Sequence, residues 1–494
     1  MSGRSRPDID MVPITAPERH LHEAALIGGE WVTASRRIRV QNPATGETVG
    51  FIPDFGTEET NRAIAAASEA FHGWRAQPAS RRAALLESWH DALLANADPL
   101  ARLMTMEQGK PLAEARGEVA YGAGFIKWFA EEARRVDGDT IPAPTADRRI
   151  IVLKEPIGVA ALITPWNFPN AMIARKAGAA LAAGCTLVIK PSELTPFSAL
   201  AMAALAAEVG IPPGVINVVT GQPVPIGEAL TSSPIVRKLS FTGSTRVGKL
   251  LMQQSAPTLK RVTLELGGNA PFMIFDDADI DTAVAGVVAS KFRNAGQTCV
   301  SANRILVQDG IYDAFAARLA AVTGKLVVGN GLDEGVTIGP LINDAAVEKV
   351  RGHIEDAQRH GAVAISGGGA DPRGGRFVTP TVLTGASTAM RVANEETFGP
   401  VAPLFRFSTE DEAIALANAT PYGLASYFYT ENVRRAWRVA ERLEFGMVGL
   451  NTGSVSVEVA PFGGIKESGF GREGSKYGID DYLQIKTLHF GGIS

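Results

Sequence analysis

The chain has 494 residues, 46% apolar and 20% charged; that length favours about two to four domains, and the composition excludes wholesale disorder. Lys and Arg number 48 against 52 Asp and Glu, a net charge of −4, so no basic excess is present to neutralise nucleic-acid phosphates. Two cysteines, Cys185 and Cys299, exclude a disulfide scaffold and a thiolate-built metal site and suit a reducing, cytoplasmic compartment.

Residues 1–20 mix Arg4, Arg6, Asp8, Asp10 and Glu18 with no apolar run. They are expected to be a disordered arm, not a signal or transit segment. Ile64, Ala67, Phe71 and Trp74 fall at helical spacing and predict a helix over Thr57–Trp74, with Thr57 as its N-cap. Ala84, Leu85, Trp89 and Leu93 predict a second over Arg81–Ala95. Arg148–Pro156 alternates apolar and polar residues, which predicts a projecting hairpin. Short apolar runs follow at Val159–Ile163, Thr186–Ile189, Val215–Val219 and Val236–Phe241, separated by Ala-rich helical stretches at Ala171–Ala183 and Ala199–Val209. Such alternation means βαβ units and a parallel sheet covered on both faces. A second alternation starts near Ala270. Strands are expected at Phe272–Phe275, Arg304–Gln308, Ala362–Ser366, Val401–Phe407, Ser426–Tyr429 and Met447–Asn451. Helices are expected at Ile280–Phe292, Tyr312–Val322 and Val347–Arg359, and Tyr482–Phe490 reads as an edge strand. The richest apolar window, Ala177–Ile189, is bounded by Lys176 and Lys190 and falls short of the roughly 18 residues of a membrane span, so no membrane association is expected.

Four residue patterns carry chemistry. Gly243-Ser-Thr-Arg-Val-Gly-Lys-Leu250 nearly spells a P-loop, but Leu250 stands where a hydroxyl must hold magnesium. What remains is a glycine turn after a strand, opening a helix whose N-terminal amides suit a dinucleotide pyrophosphate. Cys299, in Asn294-Ala-Gly-Gln-Thr-Cys299, lies among small polar residues; once partly ionised, such a thiol attacks a carbonyl to give a thiohemiacetal or thioester. Cys185 has an apolar setting and is expected in the core. Glu265, flanked by Leu264 and Leu266 and followed by two glycines, is placed for the partial burial that raises a carboxyl toward a useful general base. Asn167, in Pro165-Trp-Asn-Phe-Pro169, either makes an Asx-turn or offers its amide to an oxyanion.

These motifs, in order with Phe241-Thr-Gly-Ser-Thr245, Leu264-Glu-Leu-Gly-Gly268, Gly296-Gln-Thr-Cys299, Glu395-Glu-Thr-Phe-Gly-Pro400 and Pro461-Phe-Gly-Gly-Ile-Lys466, resemble the aldehyde dehydrogenase superfamily from about Leu26 onward. Ser290–Cys299 and Gly471–Gly478 narrow the likeness to the succinate-semialdehyde dehydrogenases, with glutarate-semialdehyde dehydrogenases as near relatives. The resemblance implies Cys299 as nucleophile, Glu265 as general base, and Asn167 with the Cys299 amide as oxyanion hole. It implies cofactor contacts from Trp166, Asn167, Lys190, Glu193, Gly243, Ser244, Leu266, Glu396 and Phe398. Arg175, Arg293 and Ser456 match positions that bind a distal carboxylate. The implied reaction oxidises succinate semialdehyde to succinate, as in 4-aminobutyrate degradation, with NAD preferred over NADP because the Glu193 charge opposes a 2′-phosphate. No metal is implied. A glutarate-semialdehyde enzyme, another aldehyde dehydrogenase and a cysteine hydrolase are the alternatives.

The implied α/β fold joins a Rossmann-type cofactor domain (21–142 and 161–265), an α/β catalytic domain (266–479) and a small β oligomerisation element (143–160 and 480–494). That element implies a homo-oligomer, dimer or tetramer. The expected partners are otherwise a small semialdehyde, and neither nucleic acid nor membrane.

Overall fold

The structure, a computed structural model, describes residues 20–369 and 371–493. The expectation for residues 1–20 lies outside the described residues, His20 apart.

Val159–Ile163, Thr186–Lys190, Ile216–Val218, Val236–Thr242 and Arg261–Glu265 form the parallel centre of an eight-stranded sheet. Their near-continuous apolar runs are what a sheet buried on both faces requires. In space the order is Arg261–Glu265, Val236–Thr242, Val159–Ile163, Thr186–Lys190, Ile216–Val218. The chain therefore leaves Val159–Ile163 in one direction along the sheet and returns to its other side at Val236–Thr242. This is a topological switch point, where the loops beyond the strand ends part and leave a crevice. Antiparallel edges complete the sheet: Gly469–Phe470 on one side, Ala25–Ile27 and Glu30–Val32 on the other. The Ala171–Ala183 helix is buried on every face, since its small side chains let it lie close both to the sheet and to the Leu112–Glu132 helix.

A seven-stranded sheet follows, ordered Val363–Ser366, Thr381–Thr384, Val401–Phe407, Ala302–Gln308, Ala270–Ile274, Ala425–Tyr429, Met447–Leu450. All its pairs are parallel except the first. One large apolar cluster spans Ala270 to Phe462 around this sheet; the first sheet has its own clusters. A separate three-stranded antiparallel sheet pairs Leu483–Phe490 and Asp139–Ile141 on either side of Arg149–Pro156.

The Thr57–Arg75 helix departs from expectation at its start. Gly56 occupies the cap position and Thr57 the first helical turn. The Glu59 carboxylate accepts from the Gly56 amide at 3.1 Å, so the start is satisfied without a threonine hydroxyl. No helix among the described residues is long and apolar enough to cross a membrane.

Candidate active site

The switch point holds a cavity of about 270 Å³. Trp166 and Asn167 reach it from the turn after Val159–Ile163, and Gly243 and Ser244 from the turn after Val236–Thr242. Leu266, Glu396, Thr397, Phe398 and Cys299 add to the wall, together with Ala346 and Lys349, which the sequence motifs did not flag. Seven of the nine residues expected to hold cofactor thus line one cavity with the expected nucleophile.

Each wall residue is fixed by a local cause. Ser244 caps the Thr245–Ser255 helix, its hydroxyl accepting from the Val247 amide at 3.4 Å. The first-turn amides of that helix have no partner within it, so its positive end is open to an anion. The Gly243 amide is already committed to the Glu265 carbonyl at 3.0 Å, so anion binding here falls to the helix turn and not to Gly243 N–H. Glu396 accepts from the Gly268 amide at 3.1 Å. Burial pushes its carboxyl up to about 7, with Lys349 and Lys291 acting against that shift. The Trp166 and Phe398 rings meet edge to face, 5.6 Å between centroids. The remaining two residues stand apart from this wall: Lys190 Nζ and Glu193 Oε2 pair with each other at 2.8 Å.

Cys299 sits at the end of a strained turn. The preceding helix stops at Lys291, so Arg293 opens a short 3-10 turn instead of riding on the helix. Asn294 and Ala295 hold φ of 53° and 54°, left-handed values that disfavour side chains. Gly296 follows at φ 76°, where a Cβ would lie 2.2 Å from the Gly399 carbonyl oxygen; only glycine fits. Hydrogen bonds from several segments hold the turn. The Asn294 amide donates to Glu114 at 2.8 Å, Gln108 Nε2 donates to Asn294 Oδ1 at 3.0 Å, Gln297 Nε2 donates to the Asn294 carbonyl at 3.1 Å, and the Ile342 amide donates to Gln297 Oε1 at 2.9 Å. Burial, then the neighbouring Glu396 charge, pushes the Cys299 thiol up to about 12, against the pull of Arg175 and Arg293. Both effects hold the thiol toward its protonated form.

Glu265 ends the Arg261–Glu265 strand and is only 3% exposed. Neither carboxyl oxygen has a hydrogen-bond partner among the described residues. Burial and then the Glu473 charge raise it well above the usual carboxylate range, while Arg175, Lys176 and Arg472 act the other way. It is buried almost fully, and it is not among the residues lining the cavity. Asn167 Nδ2 donates to the Gln297 carbonyl at 3.0 Å, and Oδ1 has no partner among the described residues.

Arg175, Arg293 and Ser456 occupy three settings. Arg175 is buried with its guanidinium 3.9 Å from the Phe462 ring centroid and 5.2 Å from that of Phe125. Its Nε lies 2.8 Å from Glu473 Oε2, and its Nη2 has no partner among the described residues. Lys176 pairs with the other Glu473 oxygen. Arg293 is exposed, 4.8 Å from the Phe168 centroid, with no ion pair among the described residues. Ser456 shares a hydrogen bond with the Tyr121 hydroxyl. Tyr121 and Glu473 are neighbours that sequence reasoning missed. Cys185 is buried as expected, with burial raising its thiol to about 11.

The aldehyde dehydrogenase family matches residues 31–488. The chain is similar to a succinate-semialdehyde dehydrogenase (NADP(+)) of Escherichia coli strain K12, 59% identical, covering 95% of this chain and 98% of that one. It is similar to a glutarate-semialdehyde dehydrogenase of Pseudomonas putida KT2440, 60% identical over 94% and 97%. Among solved structures, a succinate-semialdehyde dehydrogenase from Burkholderia pseudomallei is 61% identical, covers 96% and 98%, and superposes with a TM-score of 0.95. With a cavity at the switch point walled by a cysteine, a carboxamide and an open helix N-terminus, the chain belongs to the aldehyde dehydrogenase family.

Proposed function

We propose that the chain oxidises succinate semialdehyde to succinate with a nicotinamide dinucleotide, in the degradation of 4-aminobutyrate. The observation that carries this reading is the meeting of Cys299 and Asn167 in the cavity onto which the Thr245–Ser255 helix opens. After its thiol proton passes to solvent water, Cys299 Sγ attacks the aldehyde carbon as the thiolate. Asn167 Nδ2 retains one hydrogen beyond its bond to Gln297, and with the Cys299 amide it holds the alkoxide. A nicotinamide dinucleotide, when bound, supplies the hydride acceptor that leaves a thioester on Cys299. Glu265 takes a proton from the water that releases the acid. Burial raises both groups, so Glu265 and Cys299 give up their protons less readily than a free carboxyl and thiol.

Trp166, Leu266 and Phe398 give the cavity its apolar wall, Ser244 the helix cap beside the pyrophosphate, and Glu396 a carboxylate for ribose hydroxyls. The Lys190–Glu193 pair would meet the adenosine ribose, supporting NAD preferred with NADP also used: Glu193 opposes a 2′-phosphate, and Lys190 offsets part of that charge. Arg293, the unpartnered Nη2 of Arg175, and Ser456 supply donors for a distal carboxylate. The names of the relatives point to both the four- and the five-carbon semialdehyde. One extra methylene is worth about 0.8 kcal/mol of burial, so rates rather than exclusion will separate the two.

The same reading divides the chain into a cofactor domain (21–142 and 161–265), a catalytic domain (266–479) and a bridging element (143–160 and 480–494). The Leu483–Phe490 strand leaves one sheet edge open, with Ile485 72% exposed, which supports a homo-oligomer of two or four chains. Two free thiols support a cytoplasmic setting. Steady-state rates with succinate semialdehyde, glutarate semialdehyde and butanal, each with NAD and NADP, test the proposal. A higher kcat/KM for butanal than for both semialdehydes would reject the carboxylate reading.

A further inference from the structure

The Asn167 turn and the Cys299 loop are joined by a buried polar network that the proposed reaction leaves unused. At its centre is Lys110, whose side chain has 0% exposure. Its ammonium pairs with Glu118, donates to the Asn167 carbonyl at 2.8 Å, and lies 4.0 Å from the Phe168 ring centroid. Glu118 Oε1 accepts from the amides of Asn170 at 3.0 Å and Ala171 at 3.1 Å, where the Ala171–Ala183 helix begins. The pair therefore grips the Asn167–Ala171 turn at its two ends.

The other side of the network belongs to the nucleophile loop. Asn294 Nδ2 donates to the same Asn167 carbonyl at 3.0 Å. Gln108 closes the circuit: its Nε2 donates to Asn294 Oδ1 at 3.0 Å, and its Oε1 accepts from the Lys110 amide at 2.9 Å. For stability alone, a buried ion pair often gains nothing over apolar side chains of similar volume. What the charge adds is direction, since it fixes a single carbonyl from a single side.

We propose that Lys110 is a positioning residue for the reaction: it holds the Asn167 carbonyl, and with it the Asn167 carboxamide, in register with the Cys299 loop. This inference rests on the oxyanion role proposed for Asn167. A misplacement of about 1 Å at such a group costs on the order of 100-fold in rate.

The test is a cycle. Lys110→Met combined with Glu118→Gln removes both charges without leaving a carboxylate unpaired, and is placed in the wild-type and the Asn167→Ala backgrounds. In the wild-type background kcat falls about 100-fold. The KM for aldehyde and the dissociation constant for NAD, read by fluorescence titration, move by no more than about twofold, within the scatter of independent sites. In the Asn167→Ala background the same change costs no more than about twofold. A full loss in both backgrounds, or an unchanged kcat in the first, overturns the role of Lys110 while leaving that of Asn167 standing. If Asn167→Ala itself keeps full kcat, the oxyanion reading falls and this inference with it. Thermal melting checks folding. Should the paired variant not fold, Lys110→Gln, whose amide is too short to reach the carbonyl, enters the same cycle: loss confined to the wild-type background supports the role of Lys110, and equal loss in both backgrounds overturns it.

Discussion

The two arginines proposed to meet the substrate's carboxylate live in opposite surroundings. Arg175 is buried between Phe125 and Phe462 and shares Glu473 with Lys176. Arg293 is exposed beside Phe168 and has no carboxylate of its own among the described residues. A buried guanidinium with a partner serves the fold and sets the charge balance around Glu265 and Cys299, which both feel it. An exposed guanidinium with no partner keeps its charge for an incoming anion. The same side chain is thus defined by what already neutralises it.

The largest effect should come from Arg175→Ala. It leaves Glu473 with Lys176 alone and removes a positive neighbour of Glu265, so stability should drop by about 1–3 kcal/mol, the cost of a buried polar group short of one partner. Activity should fall on every aldehyde, butanal included, and further on succinate semialdehyde. Denaturant melts with parallel kinetics check this. An unchanged melt would mean that the Glu473 pair is not what holds Arg175.

Arg293→Ala supplies the other half of the contrast. A hydrogen bond to a charged group is worth about 1.5–3 kcal/mol, so kcat/KM for succinate semialdehyde should drop roughly ten- to 150-fold. Butanal should be nearly unaffected, and so should the melt. Equal losses on the two aldehydes would assign Arg293 to structure and remove the basis for the substrate proposal.

The pH profile separates the arginines again. Both Cys299, up to about 12, and Glu265, well raised, are acids that must be deprotonated to act. More of each active form exists as pH rises, so kcat/KM should climb across about pH 6 to 9 without a plateau. Arg175 lowers both groups, and its loss should displace the profile to higher pH. Arg293 touches only the thiol and is screened by solvent, so its loss should displace it less. A flat profile in the wild-type enzyme would contradict the protonated resting thiol.

On the cofactor side the Lys190–Glu193 pair offers the mildest test. Glu193→Ser should raise the NADP-to-NAD ratio of kcat/KM by up to about fivefold, the scale of a partly exposed charge contact. No change in that ratio would place the adenosine ribose elsewhere.

The cofactor wall was legible in the sequence because contiguous motifs build it. A strand end followed by Pro-Trp-Asn, or by Gly-Ser-Thr, positions its own side chains. The surroundings of Arg175, Ser456 and Asn167 were not, because their partners arrive singly from distant segments: Glu473 from a loop, Tyr121 from one helix, Lys110 from a turn. The raised thiol of Cys299 was invisible for the same reason. Small polar neighbours along the chain read only as a loop around the thiol, whereas Glu396, whose charge raises it, comes from a distant segment. Among the strands, Ala25–Ile27 and Glu30–Val32 went unread although Gly28-Gly29 between them, at φ 65° and 88°, is a hairpin signal. Three residues are too few for alternation to separate strand from loop.

The central claim is that oxidation proceeds through an acyl group on Cys299. Enzyme mixed with succinate semialdehyde and NAD, quenched in acid within one turnover and digested, should yield a succinyl adduct on the Cys299 peptide and none on Cys185. The adduct should be absent when NAD is left out. Reduction of NAD with no acyl group on Cys299, or at full rate in Cys299→Ser, would contradict the account.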